Sequence, residues 1–197
     1  MQLPNIPILH DEFTALWHTN PDGGSGSGLE SLLIEQHRQN FALWHEEDRA
    51  RAPHAPPEEI AQKKRNIDTL NQVRNDLVEA IDRELLEELE AAGIKQNGAL
   101  HSETAGMIID RLSILSLKIF HTREEIDRRD ASAQHTQRNR DRLEILVQQR
   151  QDLASCLYTL WQDVQSGRRY FKLYRQLKMY NDPELNPKIY GARAKPS

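Results

Sequence analysis

The sequence predicts an all-α fold: an antiparallel bundle of two pseudo-repeated long helix hairpins, followed by a basic C-terminal helix. Two observations lead to this prediction. Apolar residues recur at spacings of three and four over long stretches, which is the period of an amphipathic helix. Glycine and proline fall almost entirely between those stretches, where turns are expected.

In chain order, we expect one helical domain over residues 1–197. Residues 1–28 are predicted to be an N-terminal extension, with a short helix over 11–18 and a Gly/Ser linker at 23–28. The first hairpin covers 29–91, with helices over 29–51 and from Pro57 to a glycine cap at Gly93. The second covers 102–166, with Ser102 as N-cap and helices to 130 and from 135. The basic closing segment is 167–197, with a helix over 169–179.

Composition excludes several classes of function. The chain has 197 residues, 28% of them charged, and a net charge of -4. It lacks a long apolar run and a secretion signal at its start, so we expect a cytoplasmic protein without a transmembrane segment. Cys156 is the only cysteine, which excludes an internal disulfide and multi-cysteine metal sites. The protein as a whole is not basic, so the signal for nucleic-acid binding is weak.

The two hairpins align with each other at an offset of 76 residues without a gap. This offset pairs His45 with His121, Arg74 with Arg150, and Leu77 with Leu153. Such a duplication predicts a pseudo-symmetric four-helix bundle. The alternative is coincidence, because any two amphipathic helices in phase share apolar positions.

A polar face on the second long helix is the first candidate for a functional surface. It consists of Lys64, Asp68, Asn71, Asn75, Glu79 and Asp82. Asparagine is a poor helix former, so its presence on this face suggests a surface that meets a partner. The alternative is an ordinary solvated face.

The preceding helix offers a matching face that mixes aromatic and polar groups. Its members are His37, Asn40, Phe41, Trp44, His45 and Asp48. Aromatic walls with convergent polar groups line small-molecule pockets. The alternative is that Trp44 belongs to the core and that His45 bonds Asp48 one turn away.

These and later positions form long motifs that resemble a bacterial family, domain of unknown function 4254. The motifs are Gln36-His37, Asn40-Phe41, Leu43-Trp44-His45, Glu47-Asp48, Arg51, Lys64-Arg65, Ile67-Asp68, Leu70-Asn71-Gln72, Arg74-Asn75-Asp76, Ile81-Asp82, Tyr174-Arg175-Gln176, residues 178–183 and Leu185-Asn186-Pro187. The resemblance covers nearly the whole chain apart from the Gly/Ser stretch. It implies no settled activity, only that these polar positions matter.

Two metal chemistries fit the carboxylates. Glu79 and Asp82 are similar to the E-x-x-D half of all-helical nucleoside triphosphate pyrophosphatases, which hold magnesium against a diphosphate, whereas the spacing of residues 46–48 departs from the other half. A di-metal carboxylate bundle is the second chemistry. Its ligands would be His45, Asp48, His121, Glu124, Asp68 and Glu144, in the reverse of the usual Glu-x-x-His order.

The sequence therefore predicts a site centred on the first hairpin that binds or hydrolyses a phosphorylated small molecule of the nucleotide or nucleotide-sugar class, aided by Mg²⁺ or another divalent metal. The predicted catalytic residues are His45, Asp48, Asp68 and Glu79. The predicted substrate-binding residues are His37, Asn40, Trp44, Arg51, Asn71, Arg74 and Asn75. The predicted metal ligands are Glu47, Asp48, Asp82, His121 and Glu124.

The alternative function is a noncatalytic helical adaptor, which forms a homodimer or docks a partner through its amphipathic faces. It would expose Trp44, Phe120 and Trp161 together as an open apolar patch. The basic segment after Gly167 is expected to close the bundle, where its cations would help to neutralise a phosphorylated substrate.

Overall fold

The structure is a computed structural model and describes residues 2–52 and 56–177. Within these ranges the chain forms five α-helices: α1 Ile6–Thr19, α2 Gly28–Ala50, α3 Pro57–Ala91, α4 Ala105–Asp127 and α5 Ala133–Gln165. Two strands of two residues each, β1 Ala99–Leu100 and β2 Arg169–Tyr170, pair in parallel. The predicted all-α class is confirmed. Residue Pro53 and the motif residues 178–187 lie outside the described residues.

Side-chain caps and glycines set the ends of the helices. Thr104 accepts a hydrogen bond from the Met107 N–H at the start of α4, and Ser132 accepts one from the His135 N–H at the start of α5. The predicted cap Ser102 therefore lies two residues before the actual one. Gly93 follows α3 with a φ of 69°, a left-handed conformation that favours glycine.

The helices pack as two hairpins with a fifth helix between them. α2 packs along α3, and α4 packs along α5. α1 lies against α2 and α4. Near its start His10 stacks on His37 of α2, and near its end His18 contacts His45 of α2 and His121 of α4. The core consists of the apolar faces of all five helices.

The short helix predicted over residues 11–18 is present, and it begins earlier than predicted. α1 begins at Ile6 and is part of the core, because Ile6 is fully buried and Trp17 is 2% exposed. The Gly/Ser stretch also contacts the bundle, since the Trp17 indole N–H donates to the Gly23 carbonyl at 3.0 Å. The composition of residues 23–28 indicated a flexible linker, because glycine and serine have little side chain to bury.

The predicted basic helix over 169–179 is wrong for residues 169–177. Arg169 and Tyr170 pair with β1, and the residues that follow, up to 177, have no regular secondary structure. The two chains approach closely at Gly98, where a Cβ would lie 2.3 Å from the Arg168 carbonyl oxygen. Phe171 then enters the core with 1% exposure. A local helical pattern carries no information about this pairing with a segment 70 residues away.

No helix within residues 2–52 and 56–177 has a stretch long and apolar enough to span a bilayer.

Candidate functional site

A pocket of about 290 Å³ lies between α2, α3 and α4. Six of its ten lining residues are polar and four are apolar. The polar side chains come from α2, from Arg51 at its C-terminal end and from α3, and the apolar floor is completed by α4. The lining residues are Asn40, Leu43, Trp44, Glu47, Asp48, Arg51, Asn71, Arg74, Ile114 and Leu117.

The structure thus brings seven of the predicted site residues to one pocket. On α2 they are spaced by three or four residues, so they share one face of the helix. Asn71 and Arg74 have the same spacing on α3, and this places both opposite that face. What these residues do chemically stays a prediction.

Asp110 of α4 holds two of the lining side chains in place. Its carboxylate accepts a hydrogen bond from the Asn40 amide at 2.9 Å and lies 3.5 Å from the Arg74 guanidinium. It also accepts one from Gln36 at 2.6 Å. The Asn40 amide also donates to Ser113 at 2.9 Å, so its position is fixed by two residues of α4.

Two arginines and three carboxylates lie in or directly behind the wall of this pocket. Arg51 forms an ion pair with Glu47 at 2.7 Å, and Arg74 faces Asp110. Both arginines have donors to spare, since a guanidinium carries five N–H groups in a fork that matches two oxygens of a phosphate. Asp48 adds a further carboxylate at the exposed edge.

His37 lies in the interior and not in the pocket. Its ring stacks on His10 at 4.4 Å, and its nitrogens lie 2.8 Å from the Thr14 hydroxyl and 2.7 Å from the Ser113 hydroxyl. Burial lowers the pKa of His37 to about 3, so the ring is neutral. Asn75 is also buried, at 6% exposure, and is not among the residues that line the pocket.

The remaining carboxylates of α3 lie apart from the pocket. Asp68 is exposed to solvent. Glu79 accepts a hydrogen bond from the backbone N–H of Gln176 at 2.9 Å, so the segment after β2 reaches α3. Asp82 is buried and accepts the Gly106 N–H at 2.7 Å, at the start of α4. Burial, the largest effect, raises the pKa of Asp82 to about 6.

His45 points away from the pocket and towards two other histidines. Its ring centroid lies 5.5 Å from that of His18 and 5.7 Å from that of His121. Burial lowers the pKa of His45, and the neighbouring His121 and His18 lower it further. Glu124 joins this group, because its carboxylate lies 2.6 Å from Nδ1 of His121.

The predicted di-metal ligand set is not assembled. Among the described residues, one group of three metal-ligating side chains has its donor atoms within 4.8 Å of one another, namely His18, His45 and His121. Asp68 and Glu144 are both exposed and belong to no such group in this part of the chain. Glu47 and Asp48 line the pocket, whereas Asp82 caps α4.

Two important residues were not predicted from the sequence. Asp110 is the only acidic residue of α4 before Glu124, and a carboxylate on a largely apolar helix needs a partner, a signal that could have identified it. His18 carried no such signal, because its role depends on the packing of α1 against α2 and α4.

The functional class of the chain is not revealed by its relatives. No curated protein and no solved structure matches this sequence. The sequence profile of the family described as "Protein of unknown function (DUF4254)" matches residues 30–173, from the start of α2 to just beyond β2. This range contains the whole pocket between α2, α3 and α4 and two of the three clustered histidines. The chain belongs to the DUF4254 family.

Proposed function

We propose that the pocket between α2, α3 and α4 binds a small phosphorylated molecule of the nucleotide or sugar-phosphate class as its Mg²⁺ complex. The observation that carries this proposal is the set of groups that meet there: two arginines, two amides and two carboxylates beside the indole of Trp44. Arginine donates paired hydrogen bonds to phosphate oxygens, and the amides can hydrogen-bond hydroxyl groups. The indole provides a flat apolar surface against which a ring of the ligand can pack.

The charge balance is the reason for including the metal. The lining holds Arg51 and Arg74 against Glu47 and Asp48, so its formal charge is zero. A bare phosphate would meet both carboxylates and would compete with Glu47 for Arg51. Mg²⁺ binds through one or two carboxylates together with substrate phosphates, which turns this repulsion into attraction.

The volume limits the size of the ligand. At about 290 Å³ the pocket is at the lower end of the range for small-molecule sites, so it holds a phosphate or diphosphate with one sugar ring. A larger nucleotide would extend past Trp44, whose side chain also borders a second cavity of about 700 Å³ along α4 and α5.

The test is calorimetric titration of the purified chain with nucleoside diphosphates, sugar phosphates and pyrophosphate, with and without Mg²⁺. We expect binding that needs Mg²⁺. Arg51→Gln should weaken it about 10- to 100-fold, the value of a hydrogen bond to a charged group. Arg49→Gln is the matched control, since Arg49 lies on the same helix, is exposed and does not line the pocket.

Two outcomes would refute the proposal: no heat with any compound, or equal losses in the Arg51→Gln and Arg49→Gln variants. Assaying released phosphate in the same mixtures tests hydrolysis. A metal-bound water as nucleophile predicts that Asp48→Asn lowers turnover.

The adaptor alternative is not favoured by the aromatic side chains. Trp161 is 4% exposed, Trp44 is half-buried in the pocket wall, and Phe120 stacks on His18 at 4.3 Å. These three residues do not form one open apolar patch.

A further inference from the structure

Three histidines from the C-terminal halves of three different helices lie close together. They are His18 of α1, His45 of α2 and His121 of α4, and each offers a ring nitrogen within 4.8 Å of the other two. The helices are held together by the core beneath, so the backbone positions of the three residues are fixed by packing.

Two of the rings are oriented by hydrogen bonds of the kind that support metal ligands. Nδ1 of His18 lies 2.7 Å from the Thr14 carbonyl oxygen, and Nδ1 of His121 lies 2.6 Å from the Glu124 carboxylate. Both partners are acceptors, so each Nδ1 carries the proton and each Nε2 presents its lone pair. A carbonyl or carboxylate behind the ring is the usual second contact of a metal-bound histidine.

The lone pair of His121 has no partner within the described chain. Nε2 of His121 is buried and makes no hydrogen bond there. Its ring stacks on that of Trp44, at a centroid distance of 4.7 Å and an interplanar angle of 7°. A buried acceptor without a partner is costly, and the His121 ring offers a nitrogen within 4.8 Å of ring nitrogens of His18 and His45.

We propose that His18, His45 and His121 form a mononuclear site for a divalent transition metal of the Zn²⁺ type, with a fourth position open. Imidazole nitrogens suit Zn²⁺ and its neighbours in the first transition row, whereas Mg²⁺ requires oxygen. Three histidines with an open position is also the ligand set of catalytic zinc.

The distances allow this coordination with a small adjustment. Zn–N bonds of about 2.0–2.1 Å in a tetrahedron put the nitrogens about 3.3 Å apart. The donor atoms here lie within 4.8 Å of one another, so the three rings must draw closer together to bind one ion.

This site is separate from the phosphate pocket. None of its three histidines lines that pocket, and Trp44 stands between the two. It also differs from the predicted di-metal set, because its ligands are three imidazoles and Glu124 acts behind His121.

The experiment is titration of the chelator-treated full chain with Zn²⁺ by calorimetry and with Co²⁺ by visible absorption. We expect one metal per chain and the intense bands of four- or five-coordinate Co²⁺. His18→Asn should remove both, with its fold checked by circular dichroism; because His18 is exposed, this change leaves the core intact. His101→Asn, directly after β1, is the control and should bind as the wild type does.

A second variant tests the contact behind the ring. Glu124→Gln should weaken Zn²⁺ binding about 10- to 100-fold while the folded state persists, since Glu124 is exposed. The proposal is overturned if His18→Asn binds as tightly as the wild type, or if His101→Asn loses as much affinity as His18→Asn. Nucleotide binding measured on His18→Asn distinguishes the two sites, because the phosphate pocket should be unaffected.

Discussion

Asp82 is a buried carboxylate that joins α3 to the start of α4 and does not line the pocket. Its side chain is 2% exposed and accepts the Gly106 N–H at the positive end of α4. Burial nevertheless raises its pKa to about 6, so desolvation outweighs the hydrogen bonds that favour the charged form.

This raised pKa predicts a pH-dependent stability. The folded chain holds the Asp82 proton more tightly than an unfolded chain with the ordinary value of 3.8. Binding of this proton therefore adds its full contribution to the free energy of unfolding below pH 3.8, and this contribution is lost as the pH rises through about 6. The loss is at most about 3 kcal/mol. Asp82→Asn keeps an oxygen acceptor and cannot ionise. We expect the melting temperature of this variant, relative to that of the wild type, to increase as the pH rises from about 4 to about 7.

Asp76→Asn is the control for this measurement, because Asp76 is an exposed carboxylate of the same helix. A melting-temperature difference between Asp82→Asn and wild type that stays constant over this pH range would contradict the prediction.

Sequence patterns located the pocket because its residues share helix faces. Asn40, Trp44 and Asn71 could be grouped from their spacing, whereas Arg74 was included because it belongs to a family motif. The same patterns could not separate His37 or Asp68 from them. His37 turns inward because α1 covers that side of α2, and Asp68 turns outward, and both facts depend on tertiary packing.

At the scale of elements, α3 and α4 approach each other closely at Gly106. A Cβ at this position would lie 2.7 Å from the Val78 carbonyl oxygen and 2.9 Å from the Asp82 carboxylate. The Val78 oxygen belongs to the backbone of α3, so it cannot move without shifting the helix.

Gly106→Ala should therefore destabilise the fold although alanine is the better helix former. Overpacking of this kind costs about 1–3 kcal/mol, and each kcal/mol lowers the melting temperature by about 2–4 °C in a chain of this size. Thermal unfolding followed by circular dichroism measures the change. Ser31→Ala, at an exposed position near the start of α2, is the control and should change little. An equal or higher melting temperature for Gly106→Ala would mean that the helices separate without cost.

The long helices were predictable because their periodicity is local and their ends carry glycine, proline and hydroxyl caps. The two hairpins have similar dimensions, with helices of 23 and 35 residues in one and 23 and 33 in the other. The internal repeat itself stays a prediction. β2 was not predictable, because its partner β1 is distant in sequence and each strand has only two residues.

At the scale of the whole molecule, α1 joins the two hairpins although it lies before the matched family region. It buries Ile6, His10 and Trp17 against α2 and α4. Its Asp11 also forms an ion pair with Arg150 of α5. The bundle core and the histidine cluster both depend on this helix.

Trp17→Ala tests whether α1 is integral to the fold. Trp17 is 2% exposed, its ring contacts His37 and Phe41, and the Arg38 guanidinium lies 4.5 Å above it. Removing such a side chain costs about 3–5 kcal/mol, a large part of the 5–15 kcal/mol that stabilises a typical domain. We expect a large fall in the denaturant midpoint, and a much smaller one for Trp44→Ala, whose side chain is half-buried in the pocket wall. Equal, small shifts would mean that α1 detaches from the bundle, and the histidine cluster would then lose His18.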